Sequence, residues 1–332
     1  MEKKYNVYGI GNALVDIAFE VSDDFLQKHN VQKGVMTLVD EETQHELIED
    51  INKRETVKNP GGSAANTVYA VSQFGGHSFY SCKVAEDDMG DIYLRDMEEA
   101  GITTNFVSQD REKGITGRCL VMITDDAERT MNSFLGITAE LSTREIDEDA
   151  LKESEYVYIE GYPISADKGL EAMKKTIALA RKHEVKTALT LSDPSVAEAF
   201  RARFEQVIGG GIDLLFCNEE EAKVYTGTDS VEKAREVLKE GASQFVITRG
   251  KEGALIYDGD TFIDIEPYPV KAIDTNGAGD MFAGAFLYGI TNGFGYAGAG
   301  KLASLAGSKI VSQFGPRLKW GEAKELVKEA TS

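Results

Sequence analysis

The chain has 332 residues, enough for one large α/β domain with an accessory piece or for two modest domains. Its formal net charge of −20 argues against a nucleic-acid partner, whose phosphates would be repelled, and obliges any bound polyphosphate to find compensation in N–H groups, basic side chains or metal ions. Three scattered cysteines (Cys82, Cys119, Cys217) give no disulfide or zinc framework and point to a reducing cytoplasm. The first residues lack an apolar signal core, and no stretch nears the roughly 20 apolar residues of a membrane span.

Residues 5–10 read as a short buried strand closed by Gly9 and Gly11. Gly9-Ile10-Gly11-Asn12 opens like a dinucleotide fingerprint but lacks the third glycine and a following helix, which removes the dehydrogenase reading. Residues 14–21, with Asp16 inside, and residues 35–39 alternate like strands, and residues 41–54 form a polar helix. Asn59-Pro60-Gly61-Gly62-Ser63 is a turn into a helix over residues 63–74, with Asn66 on its first turn. Two glycines and an amide at that corner suit a polyhydroxylated ligand or, alternatively, only a tightly packed corner. Strand 78–84 precedes a helix over 91–100. Residues 103–107, 117–124 and 129–134 are short alternating runs that join 14–21 and 35–39 in a small sheet, read as a lid made of inserts within 103–134 and the two earlier strands.

From about residue 150 strands and helices alternate: strands at 155–160, 186–191, 213–217 and 244–248, helices at 167–183, 195–207, 218–225 and 230–240. This alternation predicts a parallel sheet covered on both faces. Asn218 and Glu221 lie on one helix face at the end of a strand. They read either as a capping box or as a site for hydrated Mg²⁺. Thr248, Arg249 and Gly250 end another strand, either as a charged hairpin tip or against a nucleotide phosphate.

The stretch Asp274-Thr275-Asn276-Gly277-Ala278-Gly279-Asp280 is a glycine-rich turn opening an apolar helix over residues 278–289. Backbone N–H groups at such a helix start make an anion site. Asp280 would repel the anion, so it belongs there either as a dipole-favoured first-turn residue or to take a proton from an attacking hydroxyl. A small-residue run at 295–302 imitates a P-loop but has Leu302 where Ser or Thr is required. Helices to about 313 and over 320–330 close the chain.

These residues together resemble the ribokinase-like (PfkB) family of sugar and nucleoside kinases. The 274–280 stretch is similar to its C-terminal signature, Gly61-Gly62 with Asn66 to its N-terminal one, Asp88 with Gly90 to the loop that follows it, and Asn218 with Glu221 to its Asn-x-x-Glu motif. The resemblance implies a doubly wound, mostly parallel α/β sheet with helices on both faces and a small β lid. It implies transfer of the γ-phosphate of ATP, with Mg²⁺, to a hydroxymethyl group. Asp280 would be the base and Gly277, Ala278 and Gly279 the anion hole. Asn12, Asp16, Gly61, Gly62 and Asn66 would hold the substrate. Asn218 and Glu221 would order Mg²⁺ through water, and Thr248 and Gly250 would lie near ATP. In members that use K⁺, Asp274 would ligate it. Within the family, residues 9–17 and 158–162 look most like adenosine kinases, in which an arginine at the place of Arg129 reaches the phosphates. Met36 stands where those kinases usually carry a glutamine, so a plain sugar kinase and a non-catalytic nucleoside or sugar sensor stay open beside the nucleoside kinase. So do a monomer and a homodimer paired through the lid.

Overall fold

The computed structural model describes residues 3–51, 57–107, 109–126 and 128–331. In chain order its strands are β1 (Tyr5–Ile10), β2 (Leu14–Glu20), β3 (Met36–Leu38), β4 (Val57–Gly61), β5 (Ser78–Ser81), β6 (Thr103–Thr104) and β7 (Gly117–Ile123). They continue as β8 (Arg129–Phe134), β9 (Ser154–Ile159), β10 (Lys186–Thr190), β11 (Ile212–Asn218), β12 (Ala242–Thr248), β13 (Ala254–Tyr257) and β14 (Phe262–Ile265). One sheet runs β14-β13-β12-β11-β10-β9-β1-β5-β6, and a second runs β3-β8-β7-β2-β4.

From β12 to β6 every pairing in the large sheet is parallel, and β13 and β14 add an antiparallel hairpin at one edge. The central strands are mostly buried and rich in apolar residues, as a sheet covered on both faces requires. Their alternation divides the core in two. Val7, Tyr156, Tyr158, Ala188 and Leu214 join the layer of Ala65, Val68, Phe282 and Phe286. Tyr8, Val157, Ile159, Leu189 and Leu215 join the layer of Ile177, Phe204 and Leu238 on the other face. Successive side chains on a strand point to opposite faces, so this is a sheet sandwiched between two helical layers.

The small sheet is not free-standing. Val15, Ile17 and Leu120 on its back face are buried with Leu47 of the helix Glu41–Ile51, in the same cluster as Val7 and Phe282. Its front face carries one cross-strand row, Leu38–Ser133–Cys119–Asp16–Asn59, fixed by the register of all five strands. Directly paired residues share a face. Met36, Met131 and Val121 follow on that same face by the same register.

Several expectations need correction. Thr103–Thr104 pairs with β5 in the large sheet, and residues 105–107 form a 3₁₀ turn, so this segment belongs to the large sheet and not to the small one. The small sheet gains β4 as one of its edges, from the extended piece before Gly62 that was not counted among the lid strands. The expected helix over 195–207 is two, Pro194–Ala199 and Arg201–Ile208, which meet at Phe200. Strand β14 was not expected. Arg54, the expected end of the polar helix, lies outside the described residues. Among the described residues no helix is long and apolar enough to cross a membrane.

Candidate active site

The carboxyl-terminal ends of the parallel strands form one rim, the usual place for ligands in such sheets. Asn12 follows β1, Glu160 follows β9, and Asn218 and Thr248 pair across the last rungs of β11 and β12. Onto this rim two helix starts converge.

The first is the helix Ser63–Gln73, whose N-cap Gly62 has φ +107°. A Cβ at Gly62 would lie 2.2 Å from the Asn12 carbonyl oxygen, so only glycine fits this turn. Glu160, 1% exposed, pins the corner: its carboxylate accepts from the Ala64 N–H at 2.8 Å and the Asn12 N–H at 3.3 Å. Burial pushes its carboxyl up to about 8.

The second is the helix Ala278–Thr291, whose N-cap Gly277 is left-handed with no side-chain cap. Pro316 would sit 2.3 Å from a Cβ at Gly277. The Ala278 N–H makes a long bond of 3.3 Å to the Thr275 carbonyl, and the space over Gly279 is open. The helix start therefore borders open space at the positive end of the helix dipole.

Asp280 bridges the two starts. It accepts from the Ser63 hydroxyl at 2.6 Å and the Asn66 amide at 3.2 Å. Burial pushes its carboxyl up to about 6 against the pull of these two donors. Part of its surface stays accessible. Asp16 on the front of the small sheet lies in the same field: burial raises it to about 7, Arg317 and Arg129 oppose that, and Asp280 adds to it. Gly61 packs against the Asp16 carboxylate, with its Cβ direction 3.1 Å from Oδ2. Asp16, Gly61, Gly62, Asn66 and Asp280 are thus brought together, and Asn12 supports them from behind through its backbone.

Beyond the Ala278 helix start lies a cavity of about 400 Å³. Thr248, Gly250, Thr275, Ala278 and Gly279 line its polar end, and Pro267, Tyr268, Val270, Phe282 and Val311 its apolar wall. A volume of this order suits one small ligand. Arg249 is turned away, paired with Asp264 at 2.9 Å, while Lys251 lines the cavity.

Asn218 and Glu221 form a reciprocal capping box: Glu221 N–H donates to Asn218 Oδ1 at 2.8 Å, and Glu221 accepts from the Asn218 N–H at 3.0 Å and its amide at 2.7 Å. Burial raises Glu221 to about 7, and Asp193 and Asp280 add to that. Asp274 is 7% exposed and fully engaged. Its oxygens accept from the N–H of Asn276 at 3.1 Å and of Gly315 at 2.8 Å, and Arg129 Nη1 stands 2.9 Å away. Arg129 therefore reaches from the small sheet to the turn that opens the Ala278 helix.

Sequence reasoning missed Ser63, Glu160 and Arg317 as parts of this site. Ser63 was legible as the residue after a glycine pair. Glu160 and Arg317 carry no local pattern, because each acts on residues far along the chain.

A helix start bordering a cavity, with a largely buried carboxylate beside it and a polar cleft on the other side, is the arrangement of a small-molecule phosphotransferase acting on a hydroxyl group. The profile of the pfkB family carbohydrate kinases matches residues 33–322, and the chain belongs to that family. The adenosine kinase of Sinorhizobium meliloti is similar at 31% identity and TM-score 0.89, over 98% of this chain and 99% of that one. A probable sugar kinase of Rhizobium etli CFN 42 is similar at 32% identity and TM-score 0.88, over 99% of both chains. The 5-dehydro-2-deoxygluconokinase of Bacillus licheniformis is 26% identical over 94% of this chain and 91% of its own length.

Proposed function

We propose that this kinase transfers the γ-phosphate of ATP to the primary hydroxyl of a nucleoside such as adenosine. The observation that carries the nucleoside reading is the front of the small sheet. Asp16 can take a pair of sugar hydroxyls, and along the same face stand Met36 and Leu38, apolar yet 40% and 59% exposed. Exposed apolar side chains on the same face as a hydroxyl-binding carboxylate, three strands along it, suit a flat base attached to a sugar better than a fully hydroxylated substrate. Small-sheet closure over the cleft would keep water from the reaction.

In this reading the substrate hydroxyl lies between Asp280 and the terminal phosphate. Asp280 accepts its proton as the new O–P bond forms and the bond to ADP breaks. The N–H groups of Gly277, Ala278 and Gly279 stabilise the charge on the transferring group. Gly61, Gly62 and Asn66 hold the sugar, and Thr248 and Gly250 border the phosphates.

Among the described residues no group of three acidic, His or Cys side chains could cage a metal. The oxygens of Glu221 are already engaged by Asn218. This donor set fits Mg²⁺ held by phosphates and water, with Asn218 and Glu221 ordering the water. When bound there, Mg²⁺ supplies positive charge to the phosphate oxygens. K⁺ at Asp274 fits poorly, because Arg129 and two N–H groups already satisfy that carboxylate.

The second reading is a sugar kinase, favoured by the kinship with 5-dehydro-2-deoxygluconokinases. Initial rates of ADP release with adenosine, inosine, guanosine, ribose, fructose and 5-dehydro-2-deoxygluconate separate the two. The nucleoside reading expects adenosine to have the highest kcat/KM, and a faster reaction with any of the three sugars overturns it. Three buried free thiols accord with a cytoplasmic home.

A further inference from the structure

Arg317 follows the helix Gly295–Val311 in the turn Gly315-Pro316-Arg317-Leu318, far in sequence from every motif of the site. Its side chain, 15% exposed, is held on three sides. Nη1 pairs with Asp96 at 2.6 Å, Nε donates to Asn66 Oδ1 at 3.2 Å, and the guanidinium carbon lies 3.8 Å above the centre of the Tyr69 ring. The Gln73 amide donates to the Leu318 carbonyl, which ties the turn along the same face of the helix Ser63–Gln73.

The consequence falls on Asn66. Its amide has a donating and an accepting end, and the two neighbours are of opposite kind. A guanidinium can only donate, and an ionised carboxylate can only accept. With Arg317 on Oδ1, the amide nitrogen must face Asp280 Oδ2, as it does at 3.2 Å. A flipped amide would set donor against donor at Arg317 and oxygen against oxygen at Asp280. We propose that Arg317 is a positioning residue that locks the Asn66 amide so that it donates to Asp280. The inference rests on Asp280 being the base. Lysine lacks the planar fork, whose separate nitrogens Nη1 and Nε bond Asp96 and Asn66.

The test is the pH profile of kcat for Arg317→Lys, Asn66→Ala and the double variant, with Asp280→Asn alongside. The groups facing Asp280 are Asp16 on β2, Tyr158 on β9, Glu160, Tyr162 and Glu221, and all stay unchanged. Arg317→Lys keeps the positive charge that opposes the rise of Asp16, so a moved limb reports the lost fork and not a lost charge. Losing the amide donor weakens the ionised form of Asp280, so the acid limb moves to higher pH in both single variants. Turnover falls roughly tenfold, in line with one lost charge-assisted hydrogen bond. The KM for ATP holds, and the double variant shifts no further than Asn66→Ala alone. An unmoved limb in Arg317→Lys, or single shifts that add in the double variant, overturns the proposal. Wild-type-like turnover by Asp280→Asn would instead overturn the base assignment on which it rests.

Discussion

In the proposed reaction Asp280 carries the chemistry, and its surroundings hold it at the edge of ionisation. Burial lifts its carboxyl to about 6, while Ser63 and Asn66 keep the charged form within reach. A base must be deprotonated to act, so kcat is expected to fall as pH drops through about 6 and to level off above it. A profile measured under saturating substrate checks this, and a flat profile from pH 5 to 8 contradicts it. Gly62 tests the backbone in the same way. Gly62→Ala forces a Cβ onto the Asn12 carbonyl at a positive φ and should cost about 3 kcal/mol or more in urea unfolding. Asp280, Gly61-Gly62 and Asn66 were legible in the sequence because glycine pairs and a carboxylate in an anion site are local oddities. Glu160 and Arg317 were not, since their work is to hold residues 96 and 251 positions away.

At the scale of elements, the tie between β8 and the turn at Asp274 is the feature that motif reading placed differently. Arg129 stands against Asp274 rather than free for phosphate, and the Asp274 side chain is 4% exposed. Breaking a buried pair by removing one partner leaves an uncompensated charge. Arg129→Met is therefore expected to cost about 3 kcal/mol of stability by the same reasoning. Wild-type turnover should be equal in sodium and potassium buffers, while the variant gains from added K⁺. Several-fold activation of the wild type by K⁺ would show that Arg129 does not stand in for the cation. Most helices and parallel strands were legible from apolar period and turn residues. The exceptions have physical causes: Thr103–Thr104 is too short for its alternation to name a sheet, and β4 is defined only by its partner β2.

For the molecule as a whole, the cleft concentrates carboxylates that burial pushes up: Asp16 and Glu221 to about 7, Glu160 to about 8 and Asp280 to about 6. Each is raised above its unfolded value, so the native state keeps protons that the unfolded chain releases. The resulting stability is full below the ordinary carboxylate range and is lost as pH rises through about 6 to 8. The net charge of −20 pushes the same way through self-repulsion. The ligand-free protein is expected to have a higher urea midpoint at pH 5 than at pH 8, with added salt narrowing the gap; the opposite order would contradict this assignment. In the proposed reaction one carboxylate at a helix start deprotonates an alcohol while the helix holds the terminal phosphate. Its most direct test is single-turnover transfer from labelled ATP to adenosine by the wild type and by Asp280→Asn at equal thermal stability. A loss of about 10²–10⁴-fold in the rate of nucleoside phosphate formation is predicted for the variant, and a rate within tenfold of the wild type would show that Asp280 is not the base.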